Sequence, residues 1–185
     1  MEVIDAPLVQ NETEVKYGGF WLRLGALIID GLILAPISVG VGYFNGTTWK
    51  SLPILIVLSL VTLSYKPLME LVYGATLGKM AFKLKVVNVN FDAPGIREAL
   101  LRNIFNIVPD VAAIFFSVYM FMDPEFESVT GLMEFYNFSQ KFATKQLFDW
   151  IVLVILLVDM IVLLSDKEKR SLHDKIGGTY VLEQS

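Results

Sequence analysis

Four apolar runs, each long enough to cross a bilayer, constrain this chain more than any other feature. A helix needs about 20 residues to traverse roughly 30 Å of hydrocarbon. Leu24 to Phe44, Leu52 to Tyr73, Ile104 to Met122 and Leu147 to Ser165 all reach that length. In a soluble protein of 185 residues they would exhaust the polar surface available to cover them. Composition agrees, with 55% hydrophobic residues and a mean hydropathy of +0.58. The expected fold is an all-α membrane protein with four transmembrane helices, a short cytoplasmic two-strand element and an amphipathic outer-loop helix. Residues 1–17 form a polar tail and 18–185 the membrane domain. The tail lacks the basic start and apolar centre of a cleavable signal, so the first apolar run is expected to persist in the mature protein.

Orientation follows from the basic residues, which accumulate on the cytoplasmic side of membranes. Lys16, Arg23, Lys79, Lys83, Lys85, Arg97, Arg102, Lys167, Lys169, Arg170 and Lys175 fall on one side of a four-span arrangement. Only Lys50, Lys141 and Lys145 fall on the other. Both termini are therefore expected in the cytoplasm. On the outer side, Asn45 and Gly46 suit a turn, and Pro53 suits the first turn of the helix after it. The stretch from Thr130 to Phe142 sets Leu132, Met133, Phe135, Tyr136, Phe138 and Phe142 among polar residues, the pattern of a helix lying on the outer surface. On the inner side, Val87 to Asn90 and Thr179 to Leu182 read as short strands. Each alone is an unpaired edge, so the two are expected to pair.

Charges inside the spans are expensive and require partners or water. At about 1.5 Å per residue, Asp30, Lys66, Asp110 and Asp159 lie near one level, about a third of the way across. Two rungs are expected in the first hairpin, Asp30 with Lys66 and Arg23 with Glu70. The four deeper groups sum to −2, an excess that favours protonation or attracts a cation. Two readings follow: the charges clamp the helices, or they form a proton or monovalent cation site. Asp110 follows Pro109, which frees a backbone carbonyl beside the acid.

Enzyme chemistry has little support, and no enzymatic activity, cofactor or metal is expected. His173 is the lone histidine, no cysteine exists, and neither a Gly-x-Ser-x-Gly nor an HExxH motif occurs. The formal charge of −4 points to no nucleic-acid partner. The expected partners are the lipid bilayer and other membrane proteins or further copies of this chain.

Four blocks carry a family resemblance. Gly19-Phe20-Trp21-x-Arg23, with Asp30 seven residues on, resembles the opening of the RDD family of membrane proteins. Gly74-x-Thr76-x-Gly78-Lys79, then Leu84-x-Val86-Val87, resembles its second block, and Arg97-x-x-Leu100-x-Arg102-Asn103 its third. Arg170-x-Leu172-His173-Asp174-Lys175-x-x-Gly178-Thr179 resembles the closing block. Arg23 and Asp30 match the family's arginine and first aspartate. Asp174 is placed as the second, with Asp110 competing. The long outer loop from Asp123 to Gln146 departs from a minimal member and would suit contact with a partner. The resemblance implies a bacterial inner membrane. It further implies either an accessory or structural subunit of a membrane assembly or a small transporter of the sodium–proton exchange type.

Overall fold

The computed structural model describes residues 15–141 and 143–184. Phe142 and residues 1–14 of the polar tail lie outside the described residues. Four rods are long and apolar enough to cross a membrane: α1 (Phe20–Trp49), α2 (Leu52–Tyr73), α5 (Ile104–Phe121) and the Leu147–Ser165 part of α7 (Ala143–Ser165). Large apolar side chains on them face outward, among them Trp21, Leu32, Val57, Phe115 and Ile161. A surface of that kind is stable against lipid rather than water.

The first span is longer than the apolar run that marks it, because the helix continues through two π-helical stretches, Pro36–Val41 and Asn45–Trp49. Pro36 lacks the N–H that would bond back one turn, which permits the wider winding. The Asn45–Gly46 turn does not form. The chain reverses instead at Lys50, in the left-handed region at φ 48°, and Ser51. The Asn45 side chain fastens that reversal, donating to the Ser51 carbonyl at 3.0 Å and accepting from its N–H at 2.9 Å.

The first and last described residues meet at one end of the bundle, the sheet end, where Tyr17 bridges to Leu182. There α2 stops at Gly74 (φ 71°), and a short helix α3 (Leu77–Ala81) turns back along α1. Strand β1 (Leu84–Asn88) follows, then α4 (Ile96–Arg102), which breaks at Asn103 before α5. After α7, helix α8 (Leu172–Gly177) leads into β2 (Thr179–Glu183). The two strands pair antiparallel, with Val86 opposite Val181 and Asn88 opposite Thr179.

The first strand starts at Leu84 rather than Val87 and ends at Asn88 rather than Asn90. Asn88 Oδ1 accepts from the N–H groups of Asn90 and Asp92, folding Val89 and Asn90 into a turn. The outer edge of β2 is covered by the chain before α1, where Gly18 N donates to Val181 O at 2.8 Å. Leu84, Val86 and Val181 bury one sheet face against Ala26, Leu22 and Phe82.

The opposite, loop end carries a 3-10 turn (Pro124–Ser128) and α6 (Leu132–Ser139), the amphipathic helix read from the sequence, with narrower bounds. Phe126, Val129 and Phe138 form a core there with Met120, flanked by Phe121 and Phe135.

Candidate functional site

The chemistry-bearing residues converge at the sheet end, where α1 and α2 meet α3, α4 and α8. Arg23, one turn into α1, uses every guanidinium nitrogen. Nε donates to Gly18 O at 2.8 Å, Nη1 to Asp174 Oδ2 at 2.5 Å and Nη2 to Lys169 O at 2.6 Å. Asp174 is fully buried on α8. Its position is fixed by a capping box in which Ser171 Oγ accepts from Asp174 N and Asp174 Oδ2 accepts from Ser171 N. The other carboxylate oxygen accepts from Arg102 Nη1. Arg102 also donates to Thr179 Oγ1 at 3.0 Å and, through Nε, to Glu70 Oε2 at 3.1 Å. Glu70 is 2% exposed and further accepts from Lys79 Nζ and from Asn103 Nδ2 at 2.8 Å. Arg23, Asp174, Arg102, Glu70 and Lys79 thus form one continuous chain of ion pairs.

The groups outside the spans respond to this company. Burial alone would raise the Asp174 carboxyl, but the Arg102 and Arg23 charges outweigh it and hold it well below the usual carboxylate range. Burial alone would lower Arg102, and Asp174 with Glu70 more than reverse that. Burial pushes Lys79 down to about 8 against the opposing pull of Glu70.

Asp30 lies one layer deeper and meets neutral donors. Oδ1 accepts from Tyr65 Oη and Gly78 N, both at 2.7 Å, and Oδ2 from Thr76 Oγ1 at 2.6 Å. The carboxylate thus sits at the N-terminus of α3, where the helix dipole favours an anion. The contact requires glycine at 78, because a Cβ there would fall 2.0 Å from the Ala26 carbonyl oxygen. Glycine serves differently at 178, where φ 63° ends α8 and delivers Thr179 to Arg102.

Neither expected rung forms. Lys66 donates to Asn106 Oδ1 at 3.1 Å instead of pairing with Asp30, and Arg23 reaches Asp174 instead of Glu70. Both rungs assumed that partners come from the neighbouring span. The returning α3 supplies Asp30 and Glu70 first, and α8 inserts its aspartate between the two arginines.

Of the two candidates for the second aspartate, Asp174 is the one bonded to Arg23. Asp110 stands apart, half-buried, lining a cleft of about 210 Å³ with Pro109, Phe116, Phe148 and Asp149. Asp159 on α7 accepts from His173 N at 2.9 Å and lies 2.8 Å from its Nδ1.

Tyr65, Asn106 and Ser171 were not singled out by sequence reasoning. Ser171-x-x-Asp174 is a capping-box spacing, so that one signal was legible. Among the described residues, no three His, Asp or Glu side chains gather where they could hold a metal ion. No curated protein and no solved structure matches the chain. The model of the RDD family does match it over residues 17–178, across every element of the site except β2, and the chain belongs to that family.

Proposed function

We propose that this multi-pass membrane protein acts without enzymatic chemistry, as an accessory or structural subunit of a membrane assembly, with its charges clamping the spans to the sheet end. The observation behind this reading is neutrality. Arg23, Lys79 and Arg102 oppose Asp30, Glu70 and Asp174, and Thr76 links Asp30 to the rest by accepting from Lys79 N at 3.4 Å. Within this connected set three cations balance three carboxylates, and Asp159, which adjoins it through His173, is taken up by the His173 N–H at 2.9 Å and its ring at 2.8 Å. Asp30, 4% exposed and holding three donors, has no room for one. The basic residues at the sheet end favour the cytoplasmic side of a bacterial inner membrane for both termini.

A second reading, monovalent cation or proton transport, draws on a different observation: Asp110 lines a cleft inside the spans. Cation-dependent proton flux through the purified protein in sealed liposomes separates the two. The subunit reading expects none from folded wild type. Flux that Asp110→Asn abolishes would replace it with transport.

A further inference from the structure

At the loop end, α1, α2, α5 and α6 enclose a cavity of about 350 Å³. Its α1 wall is formed by the two π-wound stretches and the α-helical turn between them, where Ser38, Gly42, Gly46 and Thr47 leave space that larger side chains would fill. Leu55 and Leu58 line the α2 side, and Ser117 and Phe121 the α5 side. Phe135 of α6 presses on Gly46, close enough that a Cβ there would lie 2.7 Å from the ring. The roof is thereby pinned to the first span.

Three of the polar side chains in the wall are already engaged, which leaves the Ser117 hydroxyl as a single partner for water. Ser38 Oγ donates to Leu34 O at 2.9 Å and Thr47 Oγ1 to Tyr43 O at 2.8 Å. Asn45 is spent on Ser51, as described above. A buried water needs two to four polar partners, and an apolar cavity without them stays dry. The rim residues Val39 and Leu132 are 68% and 66% exposed, and Tyr43 is also exposed. The cavity is therefore continuous with the lipid-facing surface of the spans.

We infer that this cavity is a lipid site, occupied by one acyl chain of a phospholipid from the leaflet at the loop end. An apolar, laterally open space among membrane helices is filled by the apolar chains around it. The small residues of α1 keep it open, and Phe135 closes its top.

The test is native mass spectrometry of the full-length protein in a detergent that preserves bound lipid. Wild type is compared with Gly42→Phe, which fills the cavity, and with Gly31→Phe, which projects from an exposed position of the same helix. The Gly42 Cβ would meet nothing nearer than Leu58 at 3.9 Å, and the Gly31 Cβ nothing within 4 Å. A single phospholipid adduct is expected on wild type and Gly31→Phe and lost from Gly42→Phe. Retention by Gly42→Phe, absence from wild type, or a free fatty acid in its place overturns the inference. Should Gly42→Phe fail to fold, the wild type still decides. In phosphatidylglycerol vesicles carrying a photoreactive acyl terminus, crosslinks are expected at Leu55, Leu58 or Ser117. Crosslinks confined to exposed positions such as Val57 and Phe115 overturn it.

Discussion

The two ends of this bundle are closed by different chemistry. At the sheet end, the spans are tied to α3, α4 and α8 by buried ion pairs between Arg23, Asp174, Arg102, Glu70 and Lys79. At the loop end, α5 and α6 are joined by aromatic packing, with Phe126 centred 4.5 Å from Phe121 and 5.7 Å from Phe138. Ion pairs at the loop end keep their carboxylates in the open: Lys50 is largely buried over Phe126, but its partner Glu127, at 4.0 Å, is exposed. Lys141 meets Glu125 with both side chains more than half exposed. The contrast separates geometry from mass. Directional bonds fix which helix meets which at the sheet end, whereas a packed core tolerates substitution provided its volume is kept. Each end should therefore fail differently.

The largest effect is expected from Arg102→Ala, which strands two buried carboxylates. Removing one partner of a buried pair costs about 3–5 kcal/mol, so folded protein in detergent should fall sharply in a thermal unfolding assay. A loss under about 1 kcal/mol would erase the contrast. Phe126→Ala should cost about 3 kcal/mol but act locally. Hydrogen exchange is expected to quicken around Met120 and α6 while β1 and β2 keep their protection. Equal quickening at both ends would mean that the two regions unfold together.

Acid sharpens the comparison. Asp174 has its folded pKa depressed below its unfolded value of about 3.9. Its contribution is therefore complete above that pH and declines as pH falls through about 4 toward the lower folded value. Melting temperature should hold from neutral pH to about 5 and drop below that, and Asp174→Asn should flatten the drop while starting lower. Least affected should be Lys141→Ala, within about 0.5 kcal/mol of wild type by the same unfolding assay, because exposed pairs contribute little.

Much of the fold was legible because its signals are local. Span length shows in the apolar runs, and the strand pair in two short segments that would otherwise be bare edges. The site was legible by residue and not by partner. Arg23, Asp30, Glu70 and Asp174 were all singled out, yet Asp30 was matched to Lys66 and Arg23 to Glu70. Depth along a helix follows from residue spacing. Which donor reaches a carboxylate first depends on how α3 folds back and how α8 docks, and neither has a periodicity. The Asn45–Gly46 turn failed similarly, because winding into a π-helix depends on Pro36 and on packing with α6.

The ion-pair chain ties α1 to α8, and the bond between Arg23 and Asp174, 151 residues apart, is where that tie can be cut. A double-mutant cycle by thermal unfolding would compare Arg23→Met, Asp174→Asn and the combination. If the pair clamps the fold, the double variant loses less than the sum of the singles by more than about 1 kcal/mol. Additivity within about 0.5 kcal/mol would mean that the two residues stabilise the fold independently, and it would contradict the clamp.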